Sequence, residues 1–137
     1  MEQHKKDMGK MGEAVVIQQI LENNCAVFLE FGDNSRTDMI IQSNSDLHRV
    51  QVKTVSRNKK DDNSTNLLLY KNGPGYRYTY SEQDTDWFAV VDSVTKKVAW
   101  IKSDVCNVRT TLTLRHTLPQ KLKTGYHLFD DYTKFPF

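Results

Sequence analysis

Four residues in the first half of the chain are of the types that handle a metal ion and a phosphate: Glu13, Asp38, Gln51 and Lys53. Two carboxylates and an amide oxygen are hard donors, a set that suits Mg²⁺, with Mn²⁺ as its substitute, while waters and phosphate oxygens complete an octahedron. A lysine beside such an ion stabilises the charge that builds on a phosphate in the transition state, or helps to hold an attacking hydroxide. The chemistry implied is phosphodiester hydrolysis, with Glu13, Asp38 and Gln51 toward the metal and Lys53 toward the phosphate. Each residue alone has a plainer role. Glu13 could answer a helix dipole, Asp38 could cap a turn, and Gln51 and Lys53 could be the wet face of a strand. Their joint order along the chain, and the elements that must carry them, favour chemistry.

Glu13 falls in a segment where Ala14, Ile17 and Leu21 recur at three- and four-residue steps beside Val16 and Ile20, which predicts an amphipathic helix over 11–23. Glu13 stands four residues before Ile17, on the face expected to dock against a sheet. The polar residues ahead of it, 1–9, read as a flexible arm, with Asp7 available as an N-cap. The runs 25–31 and 38–42 read as strands separated by the Gly32-Asp33-Asn34-Ser35 turn. After Ser43-Asn44-Ser45-Asp46, the run 47–55 alternates through Val50 and Val52, so the second and third strands must form an antiparallel hairpin. Alternation puts Gln51 and Lys53 on one face and the valines on the other. The hairpin would bring Asp38 near that pair, and the helix carrying Glu13 could cover the site.

The rest of the chain is scaffold. Residues 67–70 read as a short strand, Asn72-Gly73-Pro74-Gly75 as a stretch unable to continue a regular element, 87–92 as a buried strand, and 98–101 as its hairpin partner. Residues 110–115 alternate as an edge strand, and 117–137 carry no periodicity and read as an irregular tail. The sum is a single domain over 1–137 of α/β class, an N-terminal helix packed on a mixed, mostly antiparallel sheet.

A length of 137 residues with 38% apolar and 26% charged residues suits one globular core. No apolar run approaches the ~20 residues of a membrane span, and no signal-peptide pattern opens the chain, so a cytoplasmic protein is expected. Cys25 and Cys106 match no metal or disulfide spacing and read as free thiols. The net charge of +2 is small, but it is unevenly distributed. Arg49, Lys53, Arg57, Lys59 and Lys60 cluster in one stretch, and Arg109, Arg115, Lys121 and Lys123 in another.

Gly12-Glu13 on the helix, the run FGDNSRTD at 31–38 and the run RVQVKT at 49–54 resemble the PD-(D/E)xK nuclease superfamily. The resemblance is to its small members, among them cyanobacterial intron-encoded homing endonucleases and their phage relatives. The runs DWFAVV at 86–91 and TLR at 113–115 also fit that group, so the resemblance spans 10–116. It implies a restriction-endonuclease-like core and a bacterial or phage-encoded enzyme. It implies Asp38 as central metal ligand, Lys53 as catalytic lysine and Glu13 as a further metal-site acid. Gln51 stands where the superfamily more often has an acid. A neutral amide offsets no charge on the ion, which makes Glu13 more important here.

Double-stranded DNA is the partner implied, with neither membrane nor organic cofactor. Ser35 and Arg36 are candidates for phosphate contacts near the scissile bond. Arg57, Lys59, Lys60, Tyr76, Arg77, Tyr78 and Arg115 are candidates for tracking the duplex. A module this small reads a long site only by oligomerising, so a homodimer or homotetramer is expected. A site-specific homing endonuclease leads. A Holliday-junction resolvase, or a non-catalytic DNA-binding protein of the same fold, are the alternatives.

Overall fold

A computed structural model describes residues 2–60, 63–119 and 125–137. Helix α1 spans Glu2–Glu22 and is followed by strands β1 (Ala26–Leu29), β2 (Met39–Ser43), β3 (Asp46–Val55), β4 (Ser64–Leu68) and β5 (Tyr70–Gly73). Strands β6 (Tyr76–Thr79), β7 (Trp87–Asp92), β8 (Val98–Lys102) and β9 (Thr111–Arg115) complete the set, with short 3₁₀ turns at Ser103–Asn107 and Phe129–Tyr132. No helix among the described residues is long and apolar enough to cross a membrane.

The helix corrects two expectations. It begins at Glu2, so 2–9 form its first turns instead of an arm. Gln, Lys and Met there are good helix formers, and the Gln3 amide donates to Asp7 at 3.0 Å one turn on. The buried stripe is Gly12, Val16 and Ile20, while Ala14 and Leu21 face solvent, Leu21 being 56% exposed. Apolar residues occupy several faces of this helix, so periodicity alone did not choose among them. The bare Cα of Gly12 did: it lets α1 lie directly against Thr54 of β3.

The main sheet has five strands in the order β1-β2-β3-β7-β8. β1, β2 and β3 form an antiparallel meander, β3 and β7 are parallel, and β7 and β8 form an antiparallel hairpin, giving the mixed sheet expected. Asn44, at φ 57, sits in the tight β2–β3 turn, a conformation asparagine tolerates. The central β3–β7 pairing was not legible locally, because parallel neighbours are joined by a long crossover. That crossover is fixed by Arg49. Its guanidinium reaches Asp86 at 3.0 Å and the carbonyls of Gln83 and Glu82 at 2.6 and 2.9 Å, and its own N–H donates to Asp86 at 2.8 Å.

Each face of this sheet carries a core. Val16 and Ile20 of α1 pack on Met39, Ile41, Val50, Val52, Ala89 and Val91. On the other face Val55, Phe88, Val90 and Ile101 meet Leu67, Leu69, Leu112 and Leu114, together with Tyr80 and Phe129. The second core is roofed by the β4–β9 pair, so β9 belongs to a separate two-stranded sheet and is not an edge of the main one. The Asn72–Gly75 stretch, expected to break regular structure, instead closes a β5–β6 hairpin, with Gly75 at φ 74 in the turn. The tail, where described, is irregular but anchored: Phe129 is 1% exposed, and Phe135 and Phe137 stack edge-on against Trp100. Lys121 and Lys123 lie outside the described residues. Cys25 and Cys106 are free thiols.

Candidate active site

The site forms where the main sheet splits. Pairing of β2 with β3 stops at Met39–Val50, yet β3 runs on to Val55, paired there, among the described residues, with β7 alone. Asp38 stands at that end of β2. Its N–H donates to the Val50 carbonyl at 2.9 Å, and its carboxylate Oδ2 accepts the Val52 N–H at 2.8 Å, replacing the main-chain acceptor that β2 no longer supplies. One carboxylate oxygen thus anchors the side chain and fixes where the other points.

Met39 and Val50 both enter the helix-side core, so the alternation along β2 and β3 places Asp38, Gln51 and Lys53 together on the opposite face. Here the helix expectation needs correction. α1 packs on the valine face and does not roof the site. Glu13, half-buried beside Gly12, approaches from the helix side of the split, and its charge couples to those of Asp38 and Asp33.

The electrostatics are those of partly desolvated carboxylates beside a lysine. Burial raises the Glu13 carboxyl above the ordinary carboxylate range, and Asp38 and Asp33 push it further the same way. Burial also raises Asp38, against the opposing pull of the Val52 N–H and Lys53, with Asp33 and Glu30 adding repulsion. Lys53 is depressed by burial, partly offset by Asp38. Its ammonium donates to the Tyr80 hydroxyl at 3.2 Å and lies 4.3 Å from the centre of that ring.

Whether a cation fits is answered by Gln51. Its Oε1 is buried and accepts no hydrogen bond from the described residues, a state that disfavours folding by about 1–3 kcal/mol unless something binds it. An unpartnered hard oxygen next to the Asp38 carboxylate, with the Glu13 carboxylate repelling Asp38 from the helix side, is a donor set that suits a divalent ion. Among the described residues no three His, Cys, Asp or Glu side chains gather as a metal cage.

The candidate DNA contacts divide. Arg36 is exposed and lies over Tyr78, its guanidinium carbon 3.3 Å from the ring centre. Ser35 is exposed but tied to Glu30 and the Thr37 carbonyl. Both line a cavity of about 560 Å³ that also takes in Asp38, Arg49 and Asp84. Tyr78 is not free to meet a base: its hydroxyl donates to the Asp84 carboxylate, 2.7 and 2.8 Å from the two oxygens, and Arg36 covers its ring. Tyr76 and Arg77 sit on the exposed β5–β6 hairpin, Arg77 stacked 3.7 Å over Tyr70. Lys59 and Lys60 are exposed, and Arg115 is half-buried with its Nε on the Thr117 carbonyl. Arg57 leaves the set. It reaches the buried Asp92 carboxylate at 2.8 Å, where its charge is needed to stabilise a carboxylate that is 2% exposed.

The structure brings two further residues against these: Tyr80, which the sequence placed only within an aromatic stretch, 76–80, that could track DNA, and Asp84, which it did not single out. Their one signal was parity: Tyr78 and Tyr80 are two apart on an extended segment that leads straight to β7.

A carboxylate, an amide and a lysine thus share one sheet face where β2 parts from β3, with a helix acid on the other side. The sequence pattern of the family described as PD-(D/E)XK endonuclease matches residues 3–135, and the chain belongs to that family. Among solved structures, the bacterial homing endonuclease I-Ssp6803I is similar in fold, with a TM-score of 0.79 at 19% identity, over 93% of this chain and 86% of that one. No curated protein sequence matches the chain.

Proposed function

We propose that the protein is a Mg²⁺-dependent, site-specific DNA endonuclease of the homing type, acting on duplex DNA as a homodimer or homotetramer. The observation that carries this reading is the buried, unpartnered Gln51 Oε1 beside Asp38, with Lys53 on the same sheet face. The family match supports nuclease chemistry, and the likeness in fold to a homing endonuclease favours that type.

Glu13, Asp38 and Gln51 would hold the ion, which supplies Lewis-acid polarisation of a phosphate oxygen and a more acidic water. The protein's own residues do the rest. Asp38, fixed through Oδ2, keeps its second oxygen directed into the site. Lys53, raised on Tyr80, offers its ammonium to the phosphorus-bound oxygens as one P–O bond to water forms and one P–O bond to the sugar breaks. Arg36 grips a neighbouring phosphate. Burial of the lysine makes its charge count, because the effective dielectric around it is low. Oligomerisation follows from reach: one module spans few base pairs, and symmetric copies extend the footprint and cut both strands.

The test is a cleavage map on random-sequence duplex and on four-way junction DNA, in Mg²⁺ and in Mn²⁺. The reading expects cuts at a defined duplex sequence. Cleavage of junctions in preference to duplex, irrespective of sequence, would replace it with a junction resolvase, and no cutting in either metal would leave a binding protein.

A further inference from the structure

Lys53 and Arg36 come from segments seventeen positions apart, yet both cations rest on one short stretch of chain. Lys53 Nζ lies 3.2 Å from the Tyr80 hydroxyl and 4.3 Å from its ring centre, and the Arg36 guanidinium lies 3.3 Å above Tyr78. The two rings meet edge to face at 5.9 Å, and Tyr80 meets Phe88 in the same way at 5.8 Å. Phe88 is the β7 partner of Gln51 in the sheet register, so the aromatic series is referenced to the metal-site strand itself. At the other end the Tyr78 hydroxyl is fixed by both oxygens of Asp84, whose main-chain carbonyl accepts from Thr37 at 2.6 Å, next to Arg36 and Asp38.

We propose that Tyr80, with Tyr78 beside it, is a positioning residue that sets where the Lys53 ammonium stands relative to Arg36, so that both cations meet one phosphodiester backbone. The proposal rests on the nuclease reading. Tyr80 does not itself touch DNA: it is only 6% exposed, and its hydroxyl accepts from Lys53. Its effect passes through the lysine. An ammonium on a long flexible stem loses much of its value to rotamer entropy unless something fixes it, and a tyrosine fixes it twice, through the hydroxyl and through the negative face of the ring.

Tyr80→Phe keeps the ring and its packing on Phe88 but removes the acceptor; Tyr80→Leu removes both. Single-turnover cleavage at saturating duplex should fall about tenfold for Phe and about 100-fold for Leu, with KM for DNA unchanged. In a Lys53→Ala background, Tyr80→Phe should have no further effect, since there is no ammonium left to place. A readout independent of cutting is the NMR signal of the Lys53 ε-methylene. Ring current should place it upfield in wild type and Tyr80→Phe, and at the ordinary lysine position in Tyr80→Leu. Wild-type rates in both variants, an additive loss in the double variant, or an ordinary Lys53 shift in wild type would each overturn the proposal. Should wild type cut no DNA, the nuclease reading fails by itself, and the Lys53 signal still decides the Tyr80 placement.

Discussion

Replacing Gly12 by alanine tests how the helix is seated over the sheet. A Cβ built at Gly12 would lie 1.9 Å from Thr54 Oγ1 and 3.2 Å from Thr54 Cβ, where ordinary contact begins at 3.4 Å. Relief requires α1 to retreat or Thr54 to turn by roughly 1.5 Å, and Thr54 is β-branched, half-buried with its Oγ1 shielded, and stiff at χ1. Overpacking of this kind disfavours folding by about 1–3 kcal/mol, and so direct a clash belongs at the upper end, while alanine in place of glycine returns about 1 kcal/mol of helix propensity. The net is about 2 kcal/mol, a fall in Tm of roughly 6–8 °C for a domain of this size. Glu13 is the next residue, so a displaced helix also moves the proposed metal-site acid, and a misplacement near 1 Å is worth about 100-fold in rate. Calorimetry and single-turnover cleavage on Gly12→Ala, Thr54→Ala and the pair read both effects. With Oγ1 removed the closest remaining approach is 3.2 Å to Cβ, so the double variant should recover stability and cutting. A Gly12→Ala protein that melts at or above wild type, or a double variant that recovers nothing, would refute the packing argument.

Gln51→Leu should raise stability in metal-free buffer by about 1–3 kcal/mol, by removing an unsatisfied buried amide oxygen, while abolishing Mn²⁺ binding measured by titration calorimetry. Arg57→Met should destabilise by about 3–5 kcal/mol, because it strands the buried Asp92 carboxylate, and should leave the salt dependence of DNA binding unchanged. Burial alone would raise the Asp92 carboxyl, but hydrogen bonds from Arg57, the Val94 N–H and Thr95 outweigh it and hold it below the ordinary range. Its contribution to stability is therefore full above the unfolded carboxylate pKa and is lost as pH falls through the lower folded value, an acid limb that a denaturation series should show in wild type. Arg36→Ala should weaken DNA binding about equally across sequences and reduce the salt slope by about 1.

The polar half of the site was legible because strand parity is a local property. Alternation through Val50 and Val52 is enough to put Gln51 and Lys53 on one face, and a tight turn is enough to return Asp38 to them. The other half depended on contacts that no local pattern encodes. Which helix face is buried was decided by a glycine meeting Thr54, and which strand lies beside β3 was decided by Arg49 tying down the 82–86 crossover. Arg57 looked like one more member of a basic patch, because a sequence does not show that Asp92 will be buried opposite it. The contact of Tyr80 with Lys53 was hidden for a similar reason: a glycine- and proline-bearing stretch that reads as a loop is a hairpin, and its continuation delivers an aromatic ring under the lysine.

The central claim is that Asp38 and Lys53 carry out metal-dependent hydrolysis of DNA. Its most direct test is Mg²⁺-initiated single-turnover cleavage of duplex DNA by wild type, Asp38→Asn and Lys53→Ala, each checked for the same far-UV circular dichroism. Wild type should cut and both variants should be slowed by about 100- to 1,000-fold. Equal cutting by all three would contradict the account, as would a folded wild type that cuts no duplex with Mg²⁺ present.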